Sequence, residues 1–487
     1  MKCPNCDTPV PDGVLSCPHC GLLLAAFPGE EGAAAPFAPI ARKRWWIPVV
    51  AVAGIALLAG VLVFFLWPRR PLLRVLALTS SGSTPEAIEG FPAFYPDAPI
   101  QLRLQWRLPR GRRLYVRWYH TGCLEEEIWS EEWVPGSRGQ ALPWGRRAVV
   151  SLDASSSSPL ALGSYQVEVA TEGDSEGLAQ RLSFQVVPPP GAGPSEVREL
   201  GLAWLVDSDG LPIRRTNTFA PYDVVYVTAR GDLGIGSRLE TYWYFPGDEE
   251  PDRTHAITTT RNLRDQPLLV FLAEPVPLVP GDYRVLVCLD GQPQEELEFQ
   301  VQEKVRRLGV LYEDFEVAGK WPEGHSDTVD RGYEEGKYRI EVLESEMIAW
   351  SRLHETFTDV AVLVLAEQSA GPFDSDYGVI CRYVDSDNFY SFSLSGVGEY
   401  SFAKLVGDEW VTLVPWTPTS AIWGILPNRI TVLCRGDELS LRVNGVLLNR
   451  LRDSDFAEGD VGIFAGTRSD ASGVRVLFDD LQVVPLR

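Results

Sequence analysis

Four cysteines near the N-terminus, Cys3, Cys6, Cys17 and Cys20, have the type and spacing of a metal site. Two C-x-x-C knuckles separated by ten residues supply four thiolates, the ligand number and softness that tetrahedral Zn2+ takes. Pro4 and Pro18 stiffen the two turns, and Gly21 relieves the backbone after the second. A pair of disulfides or a redox C-x-x-C is the competing reading, and the lack of a βαβ pattern around the knuckles favours zinc. Four thiolates leave no open coordination position, so the expected role is structural. About twenty residues cannot build a hydrophobic core, and the ion supplies the folding free energy instead. His19, inside the second knuckle, reads as a bystander.

Elsewhere the chemistry-bearing residues are dispersed. There is no G-x-S-x-G, phosphate loop or H-E-x-x-H. His120, His255, His325 and His354 are scattered and read as surface or packing residues. The acidic runs Glu125-Glu126-Glu127 and Asp248-Glu249-Glu250 have the residue types of an acid–base pair or a Ca2+ site. They follow a Trp-Tyr pair in each case and read as solvated loop charge. Asp374, Asp376 and Asp385 form a weaker Ca2+ candidate, with solvated turns as the alternative. Aromatic faces able to stack on a sugar ring are offered by Trp350, Tyr390, Tyr400, Trp410, Trp416 and Trp423. Of these, Trp416, Trp410 and Tyr400 are the ligand-binding candidates. Trp416, between Pro415 and Pro418, is the one expected to be exposed, in a loop over residues 415–427. Cys381 and Cys434 fall in strands that look adjacent, and either pair or stay reduced. Cys123 and Cys288 are single and non-equivalent, and read as buried thiols or minor surface features rather than a staple.

The elements that must carry these groups are mostly strands. The 487-residue chain has a net charge of −22, which argues against nucleic acid as a partner. Residues 47–66 are twenty consecutive residues without a charge, enough for a helix to span a bilayer. Trp45, Trp46 and Trp67 flank the stretch at the depth where amphipathic rings settle. A transmembrane helix over 45–67 is therefore expected, with the lipid bilayer as a partner. Reduced thiolates put the N-terminus in the cytoplasm and the rest outside. Residues 25–44 read as a flexible tether.

Beyond the span the pattern repeats. Arg113-Leu114 and Trp118-Tyr119 return as Arg238-Leu239 and Trp243-Tyr244, an offset of 125, which Phe94 and Phe219 share. Pro159-Leu160, Gly163 and Tyr165 return as Pro277-Leu278, Gly281 and Tyr283 at an offset of 118. Each copy closes on a Phe-Gln-Val strand, at Phe184 and Phe299. Shared order at a slowly shrinking offset predicts two copies of one β-sandwich, over 72–188 and 197–303, joined by a Pro-rich linker at 189–196. Residues 308–487 are strand-rich without that repeat, with two-residue turns at Gly407-Asp408 and Asn444-Gly445.

Three resemblances attach to these residues. Residues 1–24 resemble the short zinc ribbons at the N-termini of prokaryotic membrane proteins, departing from their pattern at Asp7. The two copies, with a Gly-x-Tyr opening a late strand, loosely resemble immunoglobulin-like or fibronectin-like modules. Residues 308–487 resemble the concanavalin A-like lectin/glucanase superfamily, closest to laminin-G-like and keto-disaccharide-hydrolase-like jelly rolls. That resemblance rests on Asp314-Phe315, Gly336-x-Tyr338, Tyr383-x-Asp385-x-x-Asn388-Phe389-Tyr390, Leu441-x-Val443-Asn444-Gly445 and Phe478-Asp479-Asp480-Leu481. It implies a sugar-binding or glycoside-acting head. The E-x-D-x-x-E and E-x-D-x-E strands of its glucanases are missing, and Asp479 and Asp480 alternate faces of a strand, so catalysis is disfavoured.

The expected fold class is thus mainly β and multidomain: zinc ribbon, one transmembrane helix, two Ig-like sandwiches and a jelly roll. The expected function is surface binding, with carbohydrate the preferred ligand and protein next, and a cytoplasmic protein docking the ribbon. A glycoside hydrolase and a purely structural envelope protein are the alternatives.

Overall fold

A computed structural model describes residues 72–80, 91–108, 113–133, 140–142, 145–171, 179–468 and 473–486. Every regular element among them is a β-strand. This corrects the expected fold class: among the described residues no helix is long and apolar enough to cross a membrane. The physical reason is the period-two alternation, which pairs the backbone between strands rather than within a helix. The expected span at 45–67 and the four N-terminal cysteines lie outside the described residues.

The first sandwich sets a four-stranded sheet (Leu72–Ser80, Ile100–Arg107, Gly145–Leu152, Gln140–Leu142) on a five-stranded one. The second sheet runs Ala93–Phe94, Ala179–Val186, Gly163–Thr171, Leu114–Thr121 and Glu125–Trp133. The second sandwich repeats this division. Pro212–Arg215, Glu196–Val206, Val225–Leu233 and Leu263–Leu272 oppose Thr218–Phe219, Gln292–Val301, Gly281–Leu289, Arg238–Tyr244 and Arg253–Thr258. The repeated residues occupy matching places. Tyr165 stacks on Phe184 with centroids 5.1 Å apart, as Tyr283 does on Phe299 at 5.1 Å. Both tyrosines donate their hydroxyl four residues back, to Ala161 O at 2.8 Å and Val279 O at 2.9 Å. Trp118 and Trp243 are buried between their sheets.

The last sandwich is larger. A nine-stranded sheet is ordered Gly324–His325, Val329–Glu334, Lys337–Val342, Val474–Pro485, Val360–Ala370, Asn428–Arg435, Glu438–Val443 and Val446–Arg452, with Leu311–Glu313 also on Val474–Pro485. A six-stranded sheet is ordered Ile348–Arg352, Asp460–Gly466, Asp376–Asp385, Asn388–Ser395, Glu399–Val406 and Glu409–Pro418. The continuous apolar run at 360–366 is explained by burial on both faces. Val360, Val362 and Val364 fill the space between the two sheets, whereas Ala361 and Leu363 join the core of the second sandwich with Leu202, Trp204 and Val270. The second sandwich is therefore docked on the last one and is not a detached spacer.

One cysteine expectation is overturned and an open one is decided. Cys123 and Cys288 form a disulfide between the first and second sandwiches, across 165 residues of sequence. Cys381 and Cys434 also pair, but their strands belong to opposite sheets of the last sandwich rather than to neighbours. A long-range pairing has no local signal, so sequence spacing could not show either.

Candidate functional site

The six-stranded sheet turns one face inward and one outward, and the alternation of strand Asn388–Ser395 assigns them. Tyr390, Phe392 and Leu394 point into the core, and Phe389, Ser391, Ser393 and Ser395 point away. The outer residues stay small across the sheet. Ser393 sits opposite Gly378 and Ser401, and Ser391 opposite Ala403, which in turn faces Thr412. Small side chains in register make a floor. Larger ones on the edge strand Glu409–Pro418 make a wall.

That wall contains Trp410 and Trp416. A strict alternation would put Trp410, Thr412, Val414 and Trp416 all on one face, yet Val414 joins the core. Register irregularities between Tyr400 and Ala403 return Trp416 to the outer face. Bulges at sheet edges commonly re-aim side chains in this way. The result is a groove of about 460 Å3 lined by Trp410, Trp416, Asp376, Ser391, Ser393 and Arg468, among others.

Polar groups are distributed along it. The Arg468 guanidinium lies 3.7 Å from the Trp416 ring centre. It also donates to the Asp374 carbonyl and approaches Glu399 at 3.8 Å. Asp376 pairs with Gly466 on one side and Ser395 on the other. A side chain at Gly466 would meet Asp376 Oδ1 at 2.8 Å, so glycine makes room for the carboxyl. Burial pushes that carboxyl up to about 6, against the opposing pull of Arg468. Beyond the serines the same face becomes aromatic. Trp350, Tyr383 and Phe389 pack together, and Trp410 meets Phe389 edge-on at 5.7 Å. Trp410 is 48% exposed.

The sequence candidates therefore divide. Trp410 and Trp416 share the groove, with Trp416 on a strand rather than in the expected loop. Tyr400 does not belong to it. It is buried, with its hydroxyl on Leu448 O at 3.0 Å, because its register position points it between the sheets. Tyr390 is likewise a core residue, bonded to Asp453 at 2.5 Å. The Ca2+ candidates do not converge. Asp376 and Asp385 mark opposite ends of one ten-residue strand, about 30 Å apart at strand rise. Asp385 instead accepts from Asp387 N and Asn388 Nδ2 in its own turn. Arg468 and the serine floor went unnoticed in the sequence. The Tyr-Ser-Phe-Ser-Leu-Ser alternation was the available signal for the floor.

A larger groove, about 560 Å3, lies on the second sandwich among Thr218, Tyr244, Asp282, Arg284 and Gln300. Arg284 covers the Tyr244 ring there at 3.7 Å, so the aromatic face is already taken.

No protein-family model matches the chain, and no curated protein does. Among solved structures, a carbohydrate binding module from Bacillus subtilis aligns at 15% identity over 36% of this chain and 95% of its own, TM-score 0.25. A mixed linkage glucan protein from Bacteroides ovatus, solved with a product, aligns at 8% identity over 36% and 99%, TM-score 0.29. A β-glucanase from Bacillus licheniformis aligns at 10% identity over 37% and 100%, TM-score 0.27. These scores are too low to rest a shared fold on, and the two-sheet architecture described above stands on its own strand order and register.

Proposed function

We propose that residues 308–487 bind carbohydrate in the groove on the six-stranded sheet. The observation that carries this is the placement of Trp410 and Trp416 on one wall above a floor of serines. Sugar recognition needs an apolar ring face for the pyranose C–H groups and short polar groups for its hydroxyls. Ser391, Ser393, Thr412 and Arg468 supply the second kind beside the first. The two disulfides favour an oxidising compartment for the described part of the chain.

A glycan array, followed by titration calorimetry on the full chain with any glycan retained, tests the reading. Trp410→Ala is expected to weaken binding by about 2 kcal/mol, roughly thirtyfold. Retention of a glycan with unchanged affinity in both Trp410→Ala and Trp416→Ala would place the sugar elsewhere. Retention of no glycan at all would turn attention to a protein ligand.

A glycoside hydrolase is the second reading, favoured by one observation: a carboxyl in the groove, Asp376, held up to about 6. A general acid needs such a value. Product analysis of retained glycans decides it, since turnover abolished in Asp376→Asn supports an enzyme and unchanged glycan supports a binding module.

A further inference from the structure

The junction between the first and second sandwiches holds a polar cluster that the sugar groove does not use. His120 is the last residue but one of strand Leu114–Thr121, Glu126 is the second of Glu125–Trp133, and Glu240 lies on Arg238–Tyr244 of the second sandwich. The Cys123–Cys288 disulfide clamps the hairpin that carries the first two onto the second sandwich. One nitrogen or oxygen from each of His120, Glu126 and Glu240 lies within 4.8 Å of the others. His120 and Glu240 are 0% and 1% exposed.

The hydrogen-bond pattern fixes what these atoms offer. His120 Nε2 stands 3.2 Å from the Leu162 carbonyl, which can only accept, so that nitrogen carries the proton. The lone pair is then on Nδ1, which has no hydrogen-bond partner and lies 3.9 Å from Glu240 Oε1. Glu240 Oε2 also has no hydrogen-bond partner. Arg238 Nε donates to Glu240 Oε1 at 2.9 Å, and its NH2 group to Glu126. Its charge offsets one of the two carboxylates. A neutral imidazole lone pair facing a buried carboxylate repels it, and a cation between them converts repulsion into coordination.

The internal repeat supplies a control. The residue 125 positions after His120 is Phe245. His120 contacts Tyr165 at 4.9 Å as Phe245 contacts Tyr283 at 5.2 Å. A hydrocarbon ring satisfies the packing in the second copy, so packing does not account for the imidazole in the first.

We infer that His120, Glu126 and Glu240 form a binding site for a borderline divalent cation of the Zn2+ class, which ties the two sandwiches together beside their disulfide. Imidazole and carboxylate ligands suit such an ion at about 2.0–2.2 Å. The separations must contract to that geometry, and Glu126, with 47% of its side chain exposed, has the freedom to move.

The test is titration of Zn2+ into the full-length, disulfide-intact chain carrying Cys3→Ser, Cys6→Ser, Cys17→Ser and Cys20→Ser, which removes the N-terminal thiolates as competing ligands. One equivalent is expected to bind. His120→Phe, the residue of the second copy, should abolish it with the near-ultraviolet dichroism retained. Glu126→Gln, at an exposed position that leaves the fold intact, should weaken it by about tenfold or more. Failure to bind saturably, or the same affinity in Glu126→Gln as in its parent, overturns the site whatever His120→Phe does to folding.

Discussion

Asp376 and Arg382 show how single side chains in the last sandwich are tuned by burial. The Asp376 carboxyl titrates near 6 when folded and near 4 when unfolded. The folded state holds the proton more tightly, so this group's stabilisation is full below about pH 4 and is lost as pH rises through 6. Asp376→Asn removes the titration. It is expected to raise stability above pH 6 by on the order of 2 kcal/mol and to change little near pH 4. Thermal unfolding of both proteins at the two pH values measures the difference. The comparison must be against the variant, because burial and the neighbouring Asp480 also push Asp479 up to about 6. Arg382 is 1% exposed and donates to the carbonyls of Phe456, Thr358 and Gly436 at 2.9, 3.2 and 2.6 Å. It joins three loops, two of which also meet in an isolated antiparallel bridge between Phe357 and Gly459. Arg382→Met leaves those carbonyls unpaired, at a cost of about 3 kcal/mol in denaturant unfolding. Nothing in the sequence distinguished this arginine from a solvated one. Its role depends on three loops distant in sequence.

Turns and edge strands act at the next scale. The turn Asn444-Gly445 was legible, since Asn-Gly between alternating strands favours two left-handed residues, and both have positive φ, 50° and 87°. Its second task was not legible. The missing side chain of Gly445 admits the ring of Phe271 from the second sandwich, which would stand 2.4 Å from a Cβ there. Gly445→Ala should therefore cost more than left-handed strain alone, about 2 kcal/mol in all. The parallel change Gly407→Ala, at a turn with nothing within 4 Å, should cost about half that. Paired thermal melts read the contrast. Trp416 makes the same point for edge strands. Its prolines suggested a loop, yet an edge strand tolerates proline where the N–H faces solvent, and the bulges there aim the ring into the groove.

At the scale of the molecule, the second and last sandwiches behave as one body. Beyond their shared apolar core, Arg442 donates to the Asp207 carbonyl at 2.8 Å and Arg429 to that of Tyr222 at 3.1 Å. The first sandwich meets the second through a smaller contact, where Leu162 N donates to Gly236 O at 2.8 Å beside the Cys123–Cys288 bond. Calorimetry of the oxidised chain should show these parts unfolding together. The double change Cys123→Ser with Cys288→Ser should split off an earlier transition for the first sandwich, since a disulfide closing so long a loop is worth about 4 kcal/mol. A single unchanged transition in that variant would mean that the noncovalent junction suffices.

The sequence by itself determined the β class of the described residues, and it carries the repeated residue order, the turn dipeptides of the last sandwich and the types of the two tryptophans that line the groove. Each is written in local order: period-two alternation, turn dipeptides, and aromatic residues recurring at a fixed offset. It also led to a transmembrane helix in the fold class, which the described residues do not contain. Tertiary structure alone decided the cysteine pairings, the removal of Tyr400 to the core, the docking of the second sandwich on the last, and the meeting of His120 with Glu240. Those depend on which strands face one another across a sheet or a junction, and contacts between residues more than a hundred positions apart leave no periodicity in the chain.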